Sequence, residues 1–81
     1  MDETIVERAL GKIIQKYTDM KAETFTRTLS LREDLGLSSF DMIAMSAEIE
    51  DAFSINIDNT DVLAEIDTFG DAVDLVTEKL R

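Results

Sequence analysis

Three stretches of helical periodicity, in a chain with no proline to break them, constrain this sequence most. From Glu3 to Tyr17, the residues Ile5, Val6, Ala9, Leu10, Ile13, Ile14 and Tyr17 recur at helical spacing, with Arg8, Lys12 and Lys16 opposite them. Asp2 or Thr4 is suited to cap that helix. A second helix is predicted over Ser39 to Phe53, with Ser38 as its N-cap. A third begins after Thr68, with Asp71 three residues on in a capping-box arrangement and Phe69, Ala72, Val73, Val76 and Leu80 as its buried stripe. Lys79 and Arg81 sit where positive charge favours the end of that helix. A brief helix over Thr60 to Glu65 is predicted, capped by Asp58 or Asn59 and reached through a loop or short extended piece over Ser54 to Thr60.

Residues 18–37 lack sustained periodicity, but Gly36 marks a turn, and Phe25, Leu29, Leu31, Leu35 and Leu37 are spaced to pin the segment to a core. The expected fold is all-α: a small antiparallel bundle of three main helices plus one short helix, with a long first loop, forming one domain over residues 1–81.

Composition narrows the chemistry. The chain has no cysteine and no histidine, which removes thiolate and imidazole nucleophiles, a His-based general base, and the commonest metal ligands. No carboxylate pair is marked by spacing as an acid–base couple, so an enzyme is not expected. No metal site is expected either: Asp58-Asn59-Thr60-Asp61 is followed by Val62 and lacks the central glycine and terminal glutamate of a calcium loop. Apolar runs are too short to span a bilayer, and Met1-Asp2-Glu3 is the reverse of a basic secretory leader. A soluble, cytoplasmic monomer is the expectation.

The formal charge of −10 is unevenly placed: residues 33–78 hold thirteen of the eighteen acidic residues and none of the eight basic ones. Such a field repels nucleic acid and anionic lipid and steers the chain toward basic protein surfaces.

The second helix carries two apolar stripes. Met42, Met45, Ile49, Ala52 and Phe53 form one, and Phe40, Ile43, Ala44 and Ala47 lie roughly opposite. A bundle of 81 residues has little material to cover both, so the second stripe is expected to be exposed as a docking face. Just before it stand two hydroxyls, Ser38 and Ser39, either of which suits a helix cap. A phosphodiester at Ser39 would meet the free N–H groups and positive dipole end of the helix, with Gly36 leaving room for a modifying enzyme.

The run Glu33-Asp34-Leu35-Gly36-Leu37-Ser38-Ser39-Phe40-Asp41-Met42 resembles the attachment site of the acyl carrier protein family, usually Asp-Leu-Gly-x-Asp-Ser-Leu. Ser39 falls on the modified serine, Ser38 on the usual aspartate and Phe40 on the usual leucine. The resemblance extends over about residues 3–80, including Leu31 to Leu35 and the acidic end Glu48-Ile49-Glu50-Asp51-Ala52-Phe53. It implies a covalent 4′-phosphopantetheine arm from CoA on Ser39, flanked by Gly36 and Ser38, holding acyl or aminoacyl groups as thioesters. It also implies a partner surface of Phe40, Asp41, Ile43, Ala44, Ala47, Glu50 and Asp51. Met42, Met45 and Ile49 would face an interior able to shelter a carried chain.

Implied partners are a phosphopantetheinyl transferase and acyl- or aminoacyl-activating ligases, acyltransferases or synthases with basic docking surfaces. Fatty-acid and specialised acyl or peptide biosynthesis are both open. Ser38 for aspartate, the bulkier Phe40 for leucine and Ala44 for the glutamate of many fatty-acid carriers weaken an assignment to housekeeping fatty-acid synthesis and put a specialised carrier, loaded by a dedicated ligase, on an equal footing with it. The rival reading is an unmodified carrier-like structural subunit that docks a basic partner through the acidic second helix.

Overall fold

A computed structural model describes residues 2–80, apart from the side chain of Asp61; Arg81 and that side chain lie outside the described residues. Four α-helices follow in order: α1 (Glu3–Ile14), α2 (Ser39–Phe53), α3 (Asn59–Glu65) and α4 (Phe69–Lys79). Short 3₁₀ turns at Gln15–Tyr17 and Ala22–Thr24 carry the chain out of α1 and into the long connection. The described residues form a helical bundle with no strand, as the periodicity predicts.

Local chemistry explains where each helix starts. The Asp2 carboxylate accepts the Thr4 N–H at 2.8 Å, and Asp58 accepts the Thr60 N–H at 2.8 Å. Both α2 and α4 begin with a complete capping box, Ser38 with Asp41 and Thr68 with Asp71, satisfying donors that a helix leaves unpaired. Asp71 accepts from the backbone N–H of both Thr68 and Asp67, which holds its carboxyl below the usual range.

Inside, Val6, Leu10, Ile14, Met42, Met45, Val62, Val73 and Val76 are all but inaccessible to solvent. The segment between α1 and α2 is strapped to the start of α4. Leu31 N–H donates to Asp67 O at 2.7 Å, Phe69 N–H to Leu29 O at 2.9 Å and Gly70 N–H to Arg27 O at 2.9 Å. The Ser30 hydroxyl donates to the Asp67 carboxylate at 3.0 Å, and the Phe25 and Phe69 rings meet edge to face at 5.4 Å. Leu31, Leu35 and Leu37 of this segment are buried in the core, so the leucine spacing does pin it.

Two apolar residues depart from expectation. Ile5, expected on the inward face of α1, is 55% exposed. It lies about 100° around the helix from the centre of that stripe, beyond the arc its neighbours cover. Ala52, expected inward on α2, is exposed because it sits at the edge of its stripe, while Phe53 is half-buried.

The strap leaves no room at Gly70. A methyl group there would stand 2.8 Å from the Arg27 carbonyl oxygen and 3.1 Å from its Cβ. Gly70→Ala should therefore destabilise by about 1–3 kcal/mol through overpacking, more than offsetting the gain in helix propensity. Thermal unfolding measures it; an unchanged or raised midpoint would show that the strap yields freely.

Candidate functional site

The turn before α2 is built from Gly36 and two serines that look alike in sequence but not in space. Gly36 has φ 74°, a left-handed conformation open to glycine at little cost, and no atom lies within 4 Å of where a Cβ would stand. Ser38 is the N-cap: its Oγ accepts the Asp41 N–H at 3.1 Å, and the Asp41 carboxylate accepts the Ser38 N–H at 3.0 Å. Ser39 is the first residue of α2, is exposed, and its hydroxyl makes no hydrogen bond among the described residues. A free hydroxyl thus stands beside the positive end of a 15-residue helix, a setting that favours an attached anion.

Along α2 the two stripes separate. Met42, Met45 and Ile49 are 0%, 1% and 3% exposed and belong to the core. Phe40 is 79% exposed and Ile43 38%, with Ala47 exposed and Ala44 half-buried on the same side. An apolar face with a fully projecting phenylalanine therefore begins one residue from Ser39.

The acidic residues of α2 divide in a way periodicity did not reveal. Asp41 is occupied by the capping box, and the Glu50 carboxylate accepts the Ile57 N–H at 3.1 Å, bracing the α2–α3 loop. Both were expected as partner-facing charges, yet both are half-buried and hold backbone together. Asp51 is the exposed carboxylate of the three. Ser46, unremarked in the sequence, turns inward at 2% exposure and satisfies its hydroxyl on the Ile43 carbonyl at 2.8 Å.

Glu48, expected only as part of the acidic end of the helix, is engaged as well. It accepts from the Lys16 ammonium at 2.8 Å and the Tyr17 hydroxyl at 2.7 Å, tying the 3₁₀ turn after α1 to α2. A Glu at this position and a Lys-Tyr pair more than 30 residues earlier give no local signal of contact. The hydrogen bond to Glu48, then burial, then the charges of Glu48 and Asp41 push the Tyr17 phenol from 10.0 to about 12. Because the folded state holds the proton more tightly, this stabilisation is complete below about pH 10 and is lost as pH rises toward 12. Alkaline titration by phenolate absorbance should give a midpoint near 12 that falls toward 10 in Glu48→Gln. A wild-type midpoint at 10 would mean the hydrogen bond does not persist in solution.

Against this geometry the comparisons are direct. The family model described as a phosphopantetheine attachment site matches residues 8–76, which defines the class as a carrier of a prosthetic group. The chain is 37% identical over 75 residues to an acyl carrier protein of Caulobacter vibrioides, covering 93% of this chain and 94% of that one. Its fold matches the solved acyl carrier protein of Enterococcus faecalis with a TM-score of 0.83 at 30% identity, covering 98% and 99% of the two chains. It matches that of Thermotoga maritima with a TM-score of 0.81 at 25% identity, covering 99% and 92%. The chain belongs to the acyl carrier protein family.

Members of this family are carriers and not catalysts, and they work with synthase, transferase and ligase enzymes. The prosthetic group is a covalently attached 4′-phosphopantetheine. The residues present fit it, since an exposed and unengaged hydroxyl at a helix start, beside an unobstructed glycine, is what such an attachment needs.

Proposed function

We propose that Ser39 is the attachment residue and that residues 1–81 act as one carrier domain, which presents acyl or aminoacyl groups to partner enzymes. The observation that carries this reading is the division of labour between the two serines: Ser38 is committed to the helix cap while the Ser39 hydroxyl is free and exposed. In the loading step the Ser39 oxygen attacks the β-phosphorus of CoA, a new P–O bond forms, and the pyrophosphate bond breaks. Adenosine 3′,5′-bisphosphate leaves, and the serine proton passes to the transferase's base. The arm supplies the thiol that this cysteine-free chain lacks, and hence a thioester. The protein's own residues do the rest. The α2 N-terminus stabilises the phosphodiester charge, Gly36 keeps the approach open, and Phe40, Ile43, Ala44 and Ala47 offer an apolar seat to the enzyme that meets the arm.

Intact mass after incubation with CoA and a broad phosphopantetheinyl transferase, followed by peptide mapping, tests this. The expected result is one phosphopantetheine on the peptide containing Ser39; no gain, or a gain elsewhere, overturns it.

Asp51 is proposed as the chief steering charge of the docking face, because Asp41 and Glu50 are occupied internally. Asp51→Lys should slow association with the loading enzyme and flatten its salt dependence, leaving stability within about 0.5 kcal/mol of wild type. Stopped-flow association at two salt concentrations checks it; equal rates at low salt would remove Asp51 from the interface. Met42, Met45 and Ile49 are closely packed, so a long carried chain that enters the bundle must displace them.

A further inference from the structure

Arg32 is the basic residue nearest in sequence to Ser39, and it stands at the edge of the segment 33–78, which has none. Two hydrogen bonds fix where it lies. The Leu37 N–H donates to Leu31 O at 3.0 Å, which folds the chain at residue 32 back against the residue that precedes the Ser38 cap. The Arg32 Nη2 donates to Leu63 O at 3.4 Å, in the last turn of α3. At its other end α3 meets the middle of α2, where the Ser46 hydroxyl lies 3.5 Å from the Asn59 side-chain oxygen. The short helix therefore runs back along α2 toward its head, and Arg32 links the end of α3 to the turn before α2.

We propose that Arg32 is the counter-ion of the phosphodiester on Ser39, an inference that rests on Ser39 being the attachment residue. Reach is the first argument. Ser39 lies two residues beyond Leu37, at most about 7 Å along an extended chain, and an arginine side chain spans about 7 Å from its Cα.

Availability is the second. The bond to Leu63 O is long for N–H···O, and the other guanidinium donors make no hydrogen bond among the described residues. The ion pairs of the described residues leave Arg32 out: Lys16 is held by Glu48, and Arg27 by Glu3 and Asp74. Asp34, two residues from Arg32, is turned instead to the Ser30 N–H at 2.7 Å.

Chemistry is the third. A planar guanidinium presents paired N–H donors that match two phosphate oxygens. The phosphodiester adds a negative charge to a segment that already carries thirteen carboxylates and no cation, so an arginine folded against its edge meets a charge that nothing else in that segment offsets.

The contact with Leu63 O has a role of its own without the arm. No basic residue stands in the last turn of α3, and the Asp67 N–H that would continue the helix to that carbonyl is taken by Asp71. A comparison of apo with holo protein separates the two roles, because support of α3 contributes to both forms alike.

Thermal unfolding of apo and holo protein is therefore measured for wild type, Arg32→Gln and Arg8→Gln, after intact mass and peptide mapping show whether the arm is on Ser39. At low salt, attachment should lower the midpoint of Arg32→Gln by about 2–4 °C more than that of wild type, the size of an exposed ion pair in a domain this small. At about 1 M salt, where the screening length is about 3 Å, that difference should largely disappear. Arg8→Gln makes the same charge change on an exposed position of α1 and should respond to attachment as wild type does. In wild type, NMR should show the Arg32 Nε–H signal moving when the arm is attached. If attachment shifts the midpoints of wild type and Arg32→Gln equally at low salt, if Arg8→Gln shows the same difference, or if the Arg32 signal does not move, the pairing is overturned and Ser39 stands. If no arm attaches at Ser39, both fall together.

Discussion

Ser39→Ala should fold like wild type and accept no phosphopantetheine at all, whereas Ser38→Ala should still accept it but unfold more easily. The loss at position 39 is total because no other oxygen at the head of α2 is both exposed and unengaged. Ser39 lies at the first position of α2 and makes no described hydrogen bond that alanine would forfeit, so its stability should stay within about 0.5 kcal/mol of wild type. Ser38 is the opposite case. Its Oγ satisfies the Asp41 N–H, and losing such a cap costs about 0.5–2 kcal/mol. Intact mass and thermal unfolding on the same two variants read both effects. Attachment to Ser39→Ala would transfer the site to Ser38. An unaltered melting midpoint in Ser38→Ala would show that water replaces the cap.

Met42→Ala and Ile43→Ala should differ more than any other adjacent pair in α2. Met42 is wholly inaccessible, and its truncation removes transfer energy and leaves a cavity, a loss of about 2–5 kcal/mol. A chain of this size has roughly 4–12 kcal/mol of stability, so the variant should sit near the edge of folding, with a midpoint lower by more than about 10 °C. Ile43 is 38% exposed beside Phe40, and its truncation should cost less than about 1 kcal/mol while weakening association with a loading enzyme. Chemical denaturation and binding measured on both variants decide the matter. Comparable destabilisation would mean that α2 is buried on both sides, and unaltered binding of Ile43→Ala would remove its stripe from the interface.

Helix starts were legible in the sequence because they are decided locally, whereas the periodicity that runs to Tyr17 did not show that α1 tightens into a 3₁₀ turn after Ile14. Ser38 with Asp41, Thr68 with Asp71, and Asp2 and Asp58 alone each satisfy backbone donors within three residues, so the pattern is visible without a fold. The two stripes of α2 were legible for the same reason, since a 3.6-residue period fixes which side chains share a face. So was the charge asymmetry, thirteen acidic residues and no basic one over residues 33–78.

What the tertiary structure alone decided are the relations between residues far apart in the chain. Glu50 and Asp51 are indistinguishable as neighbouring acids until the α2–α3 loop returns and places the Ile57 N–H against one of them. The same holds for Glu48, claimed by Lys16 and Tyr17 from the 3₁₀ turn after α1, and for the strap that seats Arg27, Leu29 and Leu31 on the head of α4. Ile5 has the right residue type for a core and the wrong angle, which matters only once the neighbouring helices limit how much of α1 is covered. A hydrogen bond across thirty residues carries no periodicity and no composition signal, because its cause is the packing of the helices, and that packing exists only after the chain has closed.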